Sequence, residues 1–221
     1  MNVGFLGLGK LGLPVALATE SKGHNVFGYD ISEKTIKNIK NRVIDYKEIW
    51  VEDYLPNSKI QIFDIKNLVK NSDIIFVPIQ TPHHEKYEGI TRIPNERADF
   101  DYTYLKTGVK TLSDEIETQK KDKVVIIIST VLPGTITREI KPLLGKHTKL
   151  VYNPFFIAMG STMKDFLHPE FVLFGRDDEL ALKVGKKFYK TISSAPIYDT
   201  TIENAELIKV SYNTMISTKI S

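Results

Sequence analysis

Two groups of residues in this chain have types and spacings that can do chemistry. The first is Gly7-x-Gly9-x-x-Gly12, placed after the apolar run 3–6 and opening an amphipathic helical stretch, 11–22; Asp30 closes a second apolar run, 25–29. Strand, glycine turn, helix, strand and acid in that order make a cradle for a dinucleotide. Gly7 permits a tight turn, Gly9 lets backbone approach a pyrophosphate, and Gly12 lets the helix lie against the strand. Leu8, Lys10 and Leu11 complete the turn, whose helix start offers unpaired N–H groups and a positive dipole end to phosphate. Pro14 is tolerated in a first helical turn. The Asp30 carboxylate can accept from a ribose hydroxyl and would repel a 2′-phosphate, so the turn predicts NAD rather than NADP. The second group is Lys209 and Asn213, four apart on a predicted helix, so that an ammonium and an amide share one face. Such a pair can hold charge on an oxygen as hydride leaves the adjacent carbon, although by spacing alone a solvated lysine beside a surface asparagine is the plainer reading.

The elements that must position these residues alternate between strand and helix. Short apolar runs at 59–63, 73–78, 123–128, 148–152, 171–174 and 195–198 read as strands. Helices are predicted over 32–40 with Ser32 as cap, 64–70 with Asp64 as cap, 101–119, 135–144 and 178–192. The strands lack alternation, as expected when helices cover both faces, which predicts a Rossmann-like, doubly wound and mostly parallel α/β sheet. Residues 43–58 carry no clear pattern. The polar connection 80–100, with His83, His84 and Gly89, is long enough to be functional; its adjacent histidines point apart and predict no metal. An irregular loop is expected over 153–164. A last helix from 201 reaches the end of the sequence without a stop signal, which predicts a piece of a longer chain. Two regions follow: a dinucleotide-binding domain over 1–200 and the start of a connecting helix over 201–221.

Composition excludes several classes. The 221 residues are 42% hydrophobic and 26% charged, an ordinary globular profile, with a net charge of only +3. No basic stripe is interleaved with aromatics, so no nucleic-acid partner is expected, and the cluster Gln119-Lys120-Lys121-Asp122-Lys123 reads as a solvated loop. No apolar run reaches membrane-spanning length and the N-terminus reads as a core strand, so a cytoplasmic location without membrane contact is expected. With no cysteine there is no disulfide, thiolate metal site or thiol nucleophile in the chain.

Four stretches together resemble the UDP-glucose/GDP-mannose dehydrogenase family: residues 7–14 with Asp30; Ile128-Ser129-Thr130-Val131-Leu132-Pro133-Gly134-Thr135; Asn153-Pro154 through Gly160, with Asp165-Phe166-Leu167 beyond; and 205–213, followed by Lys219-Ile220-Ser221. The resemblance implies an enzyme that oxidises the C6 alcohol of a nucleotide sugar to a carboxylate, using two NAD and a thiohemiacetal on a cysteine that the family places beyond this chain. It also implies a homodimer or larger assembly through the central helix. Lys209 and Asn213 then match the pair around the reacting oxygen. Thr130 matches a threonine that positions a catalytic water, though it can equally cap the next helix. Thr81 and Ser129 join the cofactor set, and Phe155, Phe156, Ile157 and Met159 fall in the substrate loop. Phe155 and Met159 stand where the family pattern has glutamates, and the connection 80–100 is expanded. Two alternatives are carried: a β-hydroxyacid dehydrogenase-like enzyme, against which Pro133-Gly134-Thr135 and Asn153-Pro154 argue, and an NAD-binding homologue without full turnover.

Overall fold

The computed structural model describes residues 1–88, 92 and 94–220. Gly89, in the polar connection, and Ser221, at the end of the last matching stretch, lie outside the described residues. Among the described residues eight strands form one sheet: β1 (Asn2–Leu6), β2 (Asn25–Tyr29), β3 (Gln61–Ile62), β4 (Ile74–Val77), β5 (Lys123–Ile127), β6 (Thr148–Tyr152), β7 (Val172–Arg176) and β8 (Ile197–Thr201). Their order is β3-β2-β1-β4-β5-β6-β7-β8. All neighbours are parallel except β6 and β7, which pair antiparallel. The order reverses direction between β1 and β4, and a ligand crevice belongs at that switch point, beyond the strands' C-terminal ends.

The helices are α1 (Gly12–Ser21), α2 (Glu33–Lys40), α3 (Val51–Tyr54), α4 (Ile65–Asn71), α5 (Thr103–Gln119), α6 (Thr162–Leu167), α7 (Glu179–Ile192) and α8 (Ile202–Ile220). Neighbouring β4 residues feed opposite cores. Ile74 and Phe76 pack with residues of α1, α6 and α7, whereas Ile75 and Val77 pack with those of α4, α5 and the start of α8. All four are fully buried, which is why the strand reads as an unbroken apolar run. Three helices start where expected: Ser32, Asp64 and Asp178 accept from the N–H groups of Thr35, Asn67 and Ala181.

Four expectations need correction. α1 is not amphipathic: Gly12 through Thr19 are all buried, because α6 and α3 pack on it as well as the sheet. The helix expected over 135–144 is instead a wide turn at Ile136–Ile140 running into a tight one at Lys141–Leu143. Pro142 lacks the N–H that an α-helix would need there. The loop expected over 153–164 ends early, since α6 begins at Thr162. Residues 43–58, without a clear pattern, contain α3 and a tight turn at Leu55–Asn57. Lys123 is not solvated: it is 2% exposed and its Nζ donates to the Ser72 carbonyl at 2.5 Å.

Candidate active site

The glycine turn leaves β1 with Gly7 at φ +118°, a conformation open to glycine and strained for other residues. A Cβ on Gly12 would lie 2.1 Å from the Gly7 carbonyl oxygen, so α1 sits against the turn as closely as backbone allows. A Cβ on Gly9 would meet nothing within 4 Å, leaving open space above the turn. Asp30 faces the same turn: its Oδ2 accepts from the Leu8 N–H at 2.7 Å and its Oδ1 from the Ser32 N–H at 2.8 Å. Lys10 is exposed and Leu11 half-buried at the head of α1, where no side chain caps the helix. The backbone donors there remain available to an anion. Open space over Gly9, a bare helix start and a carboxylate at the end of β2 fit a dinucleotide.

Thr81 and Ser129 stand across the crevice, after β4 and β5. Thr81 Oγ1 donates to the Thr130 carbonyl at 2.6 Å, and Ser129 Oγ donates to the Ile79 carbonyl at 2.5 Å, tying the two connections together. Thr130 is half-buried and does not cap the following turn. The Gly134 and Ile136 N–H groups instead donate to the two oxygens of Glu206, a fully buried carboxylate on α8, at 2.5 and 2.8 Å. Burial pushes the Glu206 carboxyl above its usual range, and those two N–H donors oppose the shift.

A second feature lies between α8, the loop after β6 and the approach to β7. It is a cavity of about 610 Å³ whose lining includes Phe155, Phe156, Ile157, Lys209, Tyr212 and Asn213. Lys209 is 6% exposed; its Nζ donates to Asn213 Oδ1 at 2.9 Å and lies 5.2 Å from the Phe156 ring centre. Desolvation lowers its pKa from 10.5 to about 8. Phe156 also packs edge-on to Tyr212, and Phe155 is buried against Phe166. Met159 does not line this cavity and is exposed. Nor do Thr130, Thr81, Ser129 or the glycine turn.

The loop holding Phe155 and Phe156 is fastened at both ends. Asn153 donates to the Leu173 carbonyl at 2.9 Å and accepts from the Tyr189 hydroxyl. At the far end Asp165 accepts from the Ala158 N–H and the Ser161 hydroxyl, while Glu48 accepts from the Gly160 N–H and the Thr162 hydroxyl. Glu48 and Glu206 had no signal of their own in the sequence. Their partners are backbone groups or hydroxyls at least 70 positions away. His84 caps a short turn through its Nδ1 and the Lys86 N–H. Among the described residues no three His, Asp or Glu side chains gather as a metal site, and no helix is long and apolar enough to cross a membrane.

Comparison with known proteins places this geometry. UDP-glucose 6-dehydrogenase of Rickettsia conorii is 28% identical over 228 residues, covering all of this chain and 50% of that protein. GDP-mannose 6-dehydrogenase of Pseudomonas aeruginosa is 26% identical over 234 residues, again covering the whole chain and 51% of the relative. The chain thus spans about half the length of these relatives. Among solved structures, the ternary complex of GDP-mannose dehydrogenase from Pseudomonas aeruginosa superposes over the whole chain with a TM-score of 0.88 at 26% identity, covering 51% of its own length. The family model for the NAD binding domain of the UDP-glucose/GDP-mannose dehydrogenases matches residues 1–193. The chain belongs to the UDP-glucose/GDP-mannose dehydrogenase family through this NAD-binding domain.

Proposed function

We propose that this chain is the cofactor-binding portion of an NAD-dependent nucleotide-sugar 6-dehydrogenase, with a dinucleotide-binding region over 1–200 and a connecting helix begun at 201–221. The observation that carries the reading is the buried Lys209, hydrogen-bonded to the exposed Asn213, on the wall of a cavity whose other wall is the 153–158 loop. In this reading Gly7, Leu8, Gly9, Lys10, Leu11, Gly12, Asp30, Thr81 and Ser129 hold NAD, and Thr130 positions water. When bound, NAD accepts the hydride from the alcohol carbon. The protein's part is electrostatic and acid–base. With a pKa near 8, Lys209 can carry charge to a developing alkoxide or take its proton, and Asn213 fixes the orientation of the amine. Without a glutamate at 155, the carboxylates and imidazole on the cavity wall are those of Asp165, Glu170 and His168. Asp165 already accepts from two loop donors, so His168 and Glu170 are the freer candidates for the later, hydrolytic step.

One observation favours a second reading, an NAD-binding homologue without full turnover: Phe155 is buried against Phe166 and puts hydrocarbon where the family pattern has a carboxylate. A single assay separates them. The 221-residue chain, and a protein extended to the length of its relatives, are each given NAD with UDP-glucose or GDP-mannose while NADH absorbance is followed. The chain should bind NAD without sustained NADH formation, and the extended protein should form two NADH per sugar. NAD binding with no turnover by the extended protein would favour the second reading, and failure to bind NAD would overturn both.

A further inference from the structure

We infer that Asp45 is a second determinant of cofactor choice beside Asp30: it occupies the lysines that flank the ribose site and denies them to a 2′-phosphate. The inference rests on NAD binding at the glycine turn, and not on what the bound cofactor oxidises.

Asp30 lies between two short segments, each carrying an exposed lysine. Its Oδ2 accepts from the Leu8 N–H, two residues before Lys10, and its Oδ1 from the Ser32 N–H, two residues before Lys34. Two cations so placed, one on the glycine turn and one in the first turn of α2, are the kind of group that receives a phosphate on the 2′-oxygen. Asp45 stands against both. Its Oδ2 lies 2.5 Å from Lys34 Nζ. Lys34 holds the Asp45 carboxyl below its usual range, and the charge of Lys10 adds to the effect.

The chain is built to bring Asp45 there. α2 ends at Lys40, and Arg42 takes a left-handed conformation at φ +61°. The Arg42 and Val43 N–H groups donate to the Ile39 and Asn38 carbonyls, both at 3.0 Å. These are the two bonds of a Schellman turn, which ends the helix and redirects the chain. On the other flank Tyr46 is half-buried, and the buried Glu48 accepts from the Gly160 N–H and the Thr162 hydroxyl. Asp45 is therefore held from both sides and exposed between them. An exposed ion pair adds little to stability, so what this one offers is control over which charge a ligand meets. A 2′-phosphate brings close to two negative charges. It would face Asp30 and Asp45 together, and could gain Lys34 only by breaking the pair with Asp45.

The test titrates NAD and NADP into the 221-residue chain by calorimetry and reads the ratio of the two Kd values, in which contacts to the shared pyrophosphate cancel. Asp45→Asn keeps the side chain's shape and removes its charge. It should lower Kd(NADP)/Kd(NAD) about three- to fivefold at low salt, and adding Lys34→Gln should reverse most of that fall. Should NADP bind the parent too weakly to titrate, the same substitutions in Asp30→Ala, relieved of the first carboxylate, give the comparison. A ratio unchanged by Asp45→Asn, or a fall that survives Lys34→Gln in full, would overturn the inference while leaving NAD binding intact. Absence of NAD binding by the parent would overturn the cofactor site and the inference with it.

Discussion

Lys209 is a charge held where water is scarce, and that has a consequence for stability. Its folded-state pKa is about 8, below the ordinary 10.5. Between those values the unfolded chain keeps a proton that the folded chain has released, so the Lys209 contribution to stability rises as pH climbs from about 8 toward 10.5. The gain is at most on the order of 3 kcal/mol. Lys209→Met should lose that rise and be at least as stable as the parent at neutral pH. Urea unfolding at neutral pH and near pH 9.5 checks it, and equal gains in both proteins would mean that the amine is well hydrated. Asp30 makes the opposite case, a carboxylate with two duties. Asp30→Ala should lower NAD affinity about tenfold or more and also cost roughly 1–3 kcal/mol of stability, because the Leu8 and Ser32 N–H groups lose their acceptor. Calorimetry with NAD and NADP, beside urea unfolding, reads the two effects separately. Asp30 was legible because its spacing from the glycines is fixed by one βαβ unit. Glu206 was not, because its partners are backbone N–H groups brought to it only by the docking of α8.

At the scale of elements, the glycine turn divides into positions that serve folding and positions that serve a ligand. Gly12→Ala would force a Cβ to 2.1 Å from the Gly7 carbonyl, a backbone atom that cannot give way without moving α1 from β1. A loss of roughly 3 kcal/mol or more is expected, at the severe end for a single substitution. Gly9→Ala meets nothing within 4 Å, so the fold should keep its stability to within about 0.5 kcal/mol while NAD binding weakens at least about tenfold. Unfolding midpoints and NAD titrations on the two variants check this; a Gly9→Ala protein with full NAD affinity would show that the pyrophosphate does not pass over this turn. Strands and capped helices were readable from local pattern because side-chain caps and apolar runs are local devices. The wide turn at Ile136–Ile140 was not: Glu206 accepts from the Gly134 and Ile136 N–H groups at its start, and Pro142 acts only on the segment's far end. α1 misled for a related reason, since the α3 and α6 that cover its outer face come from distant sequence.

For the whole molecule, the question is what α8 does with its outer face. Ile202, Ala205, Glu206 and Lys209 are buried, so the first half of the helix is docked on the domain. Leu207, Ile208, Met215 and Ile216 are between 36% and 52% exposed on the same helix, whereas Val210 is only half-buried rather than open. Apolar side chains repeated along one helix form a patch that water opposes, and a second copy of the helix is a partner of matching chemistry. The chain should therefore self-associate through α8, with a sedimentation coefficient that rises over about a hundredfold range of concentration. Leu207→Lys with Met215→Lys should hold it monomeric by placing charge in the contact. The same double variant should bind NAD as the parent does, because the glycine turn and Asp30 lie at the β1–β4 switch point and not on α8. A parent chain that stays monomeric throughout would refute the helix contact. Self-association unchanged by the double substitution would move the contact to another face.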